Sequence, residues 1–235
     1  MDDSTAVTMT MAITTGDVAT LRRLLADRPE LASEHIHRGN GSLTPMHIAA
    51  DWPGYFPEAP ESVRILLAAD ADPNARTTGD ANPETPLHWA ASSDDIEVAE
   101  ELINGGADIE APGGSIGSPL DNAVGYGCWN VARLLVQRGA RVDKLWQAAA
   151  LGMISRVEEF LAQDPAPDEI SDAFWQACHG GQRRAAELLL ARGADPTRTP
   201  GYASETPAEI AAAPDTRRST LVDWLNGLVT GPEET

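Results

Sequence analysis

Short apolar runs with the spacing of an α-helix recur along the chain. Residues 131–136 read VARLLV, and their apolar positions fall on one side of a helix. Gly139 follows this run, and glycine commonly ends helices because it adopts the left-handed C-cap conformation without penalty. Shorter segments with adjacent alanines, such as Ala90 and Ala91, alternate with these runs. They predict a second kind of helix, which is thin because its side chains are small and which neighbouring helices can therefore approach closely. We call these the inner helices, and the longer apolar runs the outer helices.

Similar helix-forming segments recur along the chain. Residues 85–91 read TPLHWAA and residues 118–123 read SPLDNA, and the two segments begin 33 residues apart. Thr or Ser caps the inner helix, and Pro stands at its first turn, where no N–H is needed. This pattern closely resembles the ankyrin-repeat family, which has this period and a Thr-Pro-Leu-His-x-Ala signature. The resemblance implies an all-α ankyrin-repeat solenoid of about seven helix-turn-helix repeats, with atypical terminal repeats.

Aligned on these landmarks, the chain is expected to form one domain over residues 1–235. The repeats are predicted near residues 9–35, 42–76, 83–111, 118–143, 144–168, 169–198 and 205–228. Their inner helices are expected to start near Met9, Thr44, Thr85, Ser118, Lys144, Ala173 and Thr206. Two departures from the pattern concern the connections. The second repeat carries a five-residue insertion within residues 51–57, and the fifth lacks the projecting turn, or finger, before its inner helix.

Histidines occupy the signature position in two repeats. The family resemblance implies that His47 and His88 bond to the backbone of the fingers, which is a structural role. Later repeats place Asp121, Trp146 and Trp175 at this position. The change indicates a specialised middle section of the stack.

The charge of the chain restricts the class of partner. Acidic residues number 36 and basic residues 17, for a net charge of −19. This field repels nucleic acid and anionic membranes, and it favours a protein partner with a basic patch. Cys128 and Cys178 have no metal-ligand spacing, and they predict a reducing, cytoplasmic location. No metal or other cofactor is expected.

Aromatic residues are scarce and are concentrated in one layer of the repeats. Eight of the twelve lie in predicted inner helices or inner loops: Trp52, Tyr55, Phe56, Trp89, Tyr126, Trp146, Phe174 and Trp175. We expect Trp52, Trp89 and Tyr126 to be exposed on the concave face, with Trp146 and Trp175 half-buried beneath it. The predicted binding residues are Asp51, Trp52, Trp89, Ser93, Asn122, Tyr126, Gln147, Gln176 and His179. Aromatic anchors beside amides suit a peptide or a small molecule.

The leading hypothesis is therefore a protein–protein interaction module that binds its partner on the concave face. The alternative is a small-molecule-binding protein or an enzyme, with Asp51, Asp121 and His179 as acid/base candidates. Residues two repeats apart on the inner face are separated by ~16–20 Å, which argues against a direct catalytic pair. Under the alternative, the fingers supply further groups: Asp80, Glu84, Glu110, Tyr202 and Glu205.

Overall fold

The computed structural model describes residues 1–79, 82–213 and 219–230, and it confirms the all-α repeat architecture. Within these residues, fourteen α-helices form seven consecutive pairs. The first four pairs are α1 (Asp3–Thr15) and α2 (Val18–Asp27), α3 (Pro45–Ala49) and α4 (Ala59–Ala68), α5 (Pro86–Ser92) and α6 (Ile96–Asn104), and α7 (Pro119–Gly125) and α8 (Trp129–Gln137). The last three pairs are α9 (Leu145–Ala150) and α10 (Ile154–Leu161), α11 (Pro167–His179) and α12 (Arg183–Leu190), and α13 (Pro207–Ala211) and α14 (Ser219–Thr230).

The helices group into two compact units. The first unit, residues 1–141, contains α1–α8, and the second, from residue 142 onward, contains α9–α14. Within each unit the first helices of successive pairs pack against one another, as α5 does on α7 and α11 on α9. These inner helices present small side chains to each other, and Ala90, Ala123 and Ala177 are fully buried.

One backbone hydrogen bond sets the register of most pairs. The N–H that opens the outer helix is donated to the carbonyl of an inner-helix alanine, for example from Asp95 to Ala90 and from Cys128 to Ala123. The residue just before that N–H has a positive φ, and at Gly127 this conformation costs nothing because glycine has no Cβ. The second pair departs from this pattern, because the insertion separates α3 from α4.

The connections between pairs differ in length along the chain. The first is a short antiparallel hairpin of β1 (Ile36–Arg38) and β2 (Gly41–Leu43), preceded by a 3-10 turn at Pro29–Ala32. Backbone bonds between Ser42 and Thr78 join this hairpin to the next connection. Only residues 138–144 separate α8 from α9, so the fifth inner helix follows without a finger, as its sequence indicates.

Two inner helices begin earlier than expected. Helix α1 starts at Asp3 rather than near Met9, because the Asp2 carboxylate accepts the Thr5 N–H at 2.9 Å and caps the helix there. Helix α11 starts at Pro167 rather than near Ala173. The Glu169 carboxylate in its first turn accepts the N–H of Ala166, the residue before the helix, at 2.9 Å. An additional helical turn thus replaces the finger before the sixth inner helix.

Candidate functional site: the inner-helix face

The two signature histidines bond to backbone on both sides of the ring. The Nδ1 atom of His47 accepts the Thr44 N–H at 3.2 Å, so the ring proton is on Nε2. Nε2 donates to the Glu84 carbonyl of the following finger at 3.1 Å. His88 repeats the arrangement, accepting from Thr85 and donating to Gly117. Each histidine therefore connects its own helix N-terminus to the next finger, as the family resemblance implies.

Burial keeps both imidazoles neutral. It lowers the pKa of His47 to about 4 and also lowers the pKa of His88. Since both ring nitrogens are occupied and the side chains are fully buried, neither histidine is available to a substrate.

Carboxylate and amide side chains perform the capping role in the next two repeats. The Asp121 carboxylate accepts the Ser118 N–H at 2.8 Å, and the residue is buried. In the fifth repeat, the Gln147 Oε1 atom accepts the N–H groups of Asp143 and Lys144 at 3.0 and 3.1 Å. Gln147 is therefore a buried helix cap, and its amide oxygen is already bonded within its own repeat.

Trp89 packs edge-on against the His47 ring, with centroids 5.2 Å apart. It is half-buried by this contact and not fully exposed as expected. Nearby, the Ser93 hydroxyl donates to the Trp89 carbonyl at 3.0 Å and lies 3.3 Å from the Ala50 carbonyl oxygen. Ser93 thus joins the inner loops of the second and third repeats.

Trp52, Ser93 and Tyr126 occupy equivalent positions, each five residues after the signature position of its repeat. Two of them are aromatic and exposed: 78% of Trp52 and 54% of Tyr126 is accessible to solvent. The Tyr126 hydroxyl lies 3.1 Å from the Ser115 hydroxyl of the preceding finger. The first unit therefore presents two large rings at the ends of its inner helices.

Asn122 lies inside the first unit and organises the finger above it. Its amide nitrogen donates to the Glu84 carboxylate at 2.9 Å, and its amide oxygen accepts the Ile116 N–H at 3.1 Å. The same Glu84 carboxylate accepts the Ser115 N–H at 2.7 Å. Asn122 is fully buried, because these bonds draw it beneath the finger and away from the surface where a binding role requires it.

Asp51 and the insertion make contacts of their own. The Asp51 carboxylate pairs with Arg38 of β1 at 2.8 Å. Further along the insertion, Tyr55 donates its backbone N–H to the Asp95 carboxylate at 2.6 Å and its hydroxyl to the Asp94 carbonyl at 2.5 Å. The insertion is thereby attached to the start of α6 in the next repeat.

Two predicted binding residues of the second unit, Gln176 and His179, lie near Trp175 and Tyr202. Trp175 is buried more deeply than expected, and its indole N–H donates to the Glu205 carbonyl at 2.8 Å. His179 packs against the Trp175 ring at 5.2 Å, and burial lowers the pKa of His179. The buried Gln176 amide lies 3.3 Å from the Tyr202 hydroxyl.

The remaining candidates for chemistry also have structural partners. Of the finger groups, Glu110 pairs with Arg141 at 3.0 Å, and Asp80 lies outside the described residues.

Burial raises the pKa of Cys128 to about 11 and raises the pKa of Cys178 as well, so both thiols are protonated at neutral pH. Among residues 1–79, 82–213 and 219–230, no three His, Cys, Asp or Glu side chains stand together as a metal site. None of the described helices is long and apolar enough to cross a membrane.

A comparison with protein families supports the repeat architecture that the capping histidines and the helix pairs indicate. Residues 56–144 match the family model described as ankyrin repeats in three copies. Residues 56–144 are thus recognised as ankyrin repeats. Two solved ankyrin-repeat domains share its fold along nearly their whole length. The human ASB11 domain superposes with a TM-score of 0.56 at 20% identity, covering 96% of this chain and 99% of that one. The Bcl-3 domain gives 0.53 at 24% identity, covering 94% and 98%.

A curated relative matches a shorter part of this chain. The human transient receptor potential cation channel subfamily A member 1 is 42% identical over 66 residues. That match covers 28% of this chain and 6% of the channel. The chain therefore spans a small fraction of this relative.

The sequence-based binding set omitted the acidic residues that face the insertion. Glu58 follows Tyr55 and Phe56 closely in the sequence, but Asp95 and Glu97 join them only through folding. The available signal was an insertion with two adjacent rings, and no local pattern indicates what such a loop contacts.

Proposed function

We propose that this chain binds a protein partner on the inner-helix side of its second to fourth repeats, the concave face of such a stack. Ankyrin-repeat domains are generally protein–protein interaction modules. The observation that carries the proposal is the exposure of Trp52 and Tyr126 at equivalent positions, with the half-buried Trp89 between them in sequence. Large exposed aromatic side chains dominate the binding energy of protein interfaces.

Charge favours a basic partner. Residues 1–141 contain 21 acidic and 9 basic residues, a net charge of −12. A lysine- or arginine-rich surface is attracted to this field over a distance of ~10 Å at moderate ionic strength. In this proposal Trp52, Trp89 and Tyr126 are the anchors. Ser93 and Asn122 support the backbone that carries them, because their polar groups are bonded internally.

We do not extend the proposal to catalysis or to a small-molecule pocket on this face. Asp51 is paired with Arg38, and Asp121 is a buried helix cap. His179 lies against Trp175 in the second unit. A general base has to reach a substrate proton directly or through one water molecule. These residues have structural partners instead, and the inner-helix face supports recognition of a macromolecule better.

The test is affinity capture from native lysate with the wild type and with a Trp52→Ala, Tyr126→Ala double variant. Both rings are largely exposed, so their removal is expected to leave the thermal unfolding midpoint nearly unchanged. We expect the double variant to lose partners that the wild type retains, with at least tenfold weaker direct binding. The matched control is Val7→Ala, Met11→Ala, which removes two exposed apolar side chains from α1. Equal recovery of every partner by wild type and double variant contradicts the proposal.

A further inference from the structure

The insertion in the second repeat forms one wall of an open depression in the first unit. The depression has a volume of about 300 Å³. Its walls include two aromatic residues of the insertion, Tyr55 and Phe56. The other walls come from the start of α4 and from the start of α6. The depression therefore lies beside the outer helices, whereas Trp89 belongs to the inner helix α5.

Specific bonds hold the aromatic wall in place. Tyr55 is fixed at its backbone by Asp95 and at its hydroxyl by Asp94, yet 56% of the residue is accessible. Phe56 is half-buried beside it, and its carbonyl accepts the Ala59 N–H at the start of α4. A ring that is both anchored and exposed is already ordered before a ligand arrives, which reduces the entropy cost of binding.

The other walls carry an excess of negative charge. Glu58, Glu61, Asp95 and Glu97 line the depression, and Arg64 is the only basic residue among the described residues that line it. The charge of Arg64 is already compensated, since Arg64 forms salt bridges with Glu61 at 3.2 Å and with Glu101 at 3.6 Å.

The four carboxylates differ in availability. Asp95 accepts the N–H groups of Tyr55 and Val98, and Glu61 pairs with arginines. By contrast, Glu58 and Glu97 are exposed, and within the described part of the chain neither has a salt-bridge partner. Two carboxylates at the depression are thus available to an incoming cation.

We propose that this depression, the insertion pocket, receives an arginine side chain of the protein partner. A guanidinium is planar and presents a fork of N–H donors, so it can stack on a ring and bond to carboxylates at once. Attraction to an aromatic face adds to the charge attraction. The pocket combines both features: the rings of Tyr55 and Phe56, and the carboxylates of Glu58 and Glu97. The inference rests on the proposed protein-binding function and names the chemistry of one partner residue.

The direct test uses Nα-acetyl-arginine methylamide as the probe in an NMR titration of the full chain. We expect backbone amide shifts confined to residues 54–61 and 94–98, with a Kd on the order of millimolar for so small a ligand. The uncharged citrulline analogue is expected to give no shifts there. Shifts that fall elsewhere, or equal binding of the citrulline analogue, overturn the proposal.

Substitutions distinguish binding of the probe in the insertion pocket from a general attraction to the negative charge of the chain. Glu58→Gln, Glu97→Gln is expected to weaken binding of the probe at least fivefold, and Tyr55→Leu at least twofold. Glu100→Gln, on the same helix as Glu97 but paired with Arg138, is expected to leave it unchanged. An equal loss for Glu100→Gln and the pocket variants means that the probe senses overall charge, and this overturns the assignment.

The two proposals fail in different ways. If the probe binds the insertion pocket but the Trp52→Ala, Tyr126→Ala variant captures every partner normally, the inner-helix face is wrong and the pocket stands. If that variant loses partners but the probe gives no shifts at residues 54–61, the pocket is wrong and the proposed function stands.

Discussion

At the residue scale, the buried histidines are the most informative groups in this protein. His47 and His88 use one ring nitrogen to cap a helix and the other to hold a finger carbonyl, which requires a single neutral tautomer. Protonation would place a second donor against the N–H of Thr44 or Thr85. Acid is therefore expected to weaken the connection between repeats, in addition to reducing the negative surface charge.

Stability is expected to fall as the pH drops from 6.5 towards 4. Burial lowers the pKa of folded His47 to about 4, whereas an unfolded histidine titrates near 6.5. In this window the unfolded state binds more protons, so the free energy of unfolding decreases by up to about 1.4 kcal/mol per pH unit for each such histidine. Above pH 6.5 the contribution is complete.

The measurement is urea unfolding at pH 4.5, 5.5, 6.5 and 7.5 for the wild type and for His47→Gln. Glutamine accepts the same kind of capping bond in α9 but does not titrate. A smaller loss of stability between pH 6.5 and 4.5 in the variant is expected. Parallel pH profiles for the two proteins would show that His47 is not responsible.

At the element scale, the inner helices are held together by close contact of small residues. The strongest example is in the second unit, where the end of α11 meets the end of α9. A Cβ atom built on Gly180 would lie 2.0 Å from the Ala150 carbonyl oxygen, well inside van der Waals contact. The backbone of Gly180 has a φ of −76°, which any residue adopts, so the requirement for glycine here comes from packing.

Gly180→Ala is expected to destabilise the second unit by about 1–3 kcal/mol, because a backbone carbonyl cannot move aside as a flexible side chain can. The matched control is Gly201→Ala, at a glycine with no atom within 4 Å of the added Cβ, where a change below about 0.5 kcal/mol is expected. Thermal and urea unfolding of both variants provide the measurement. A Gly180→Ala protein as stable as the control would contradict the packing assigned to α9 and α11.

At the scale of the whole molecule, negative charge is the dominant property. The net charge of −19 is distributed over both units, and several arginines already pair with carboxylates across neighbouring repeats, such as Arg138 with Glu100. The remaining carboxylates repel one another in the folded state. This repulsion opposes folding but attracts a basic partner, so salt is expected to act on stability and on binding in opposite directions.

Raising NaCl from 10 to 200 mM at pH 7.5 is expected to increase the thermal unfolding midpoint by a few degrees, because salt screens the repulsion. Near pH 4.4, where the net charge approaches zero, the same addition is expected to have little effect. Thermal melting followed by circular dichroism, at both NaCl concentrations and at both pH values, tests this. A lower midpoint in salt at pH 7.5 would mean that surface ion pairs outweigh the repulsion.

The sequence by itself determined the class of fold, the helix pairs and the missing fifth finger. Caps such as Thr85 and Ser118, the prolines that follow them and the 33-residue interval are local signals that act through the adjacent backbone. Such properties need no knowledge of distant contacts. Of the three aromatic residues expected to be exposed, Trp52 and Tyr126 are exposed and Trp89 is half-buried.

Only the tertiary structure decided which polar groups remain free for a ligand. Asn122 and Gln147 resemble recognition amides in the sequence, but each is buried and bonded within its own unit. The pocket beside Tyr55 likewise depends on another repeat, which supplies Asp95 and Glu97. Local spacing specifies a helix, whereas the availability of a side chain depends on the groups that folding brings against it.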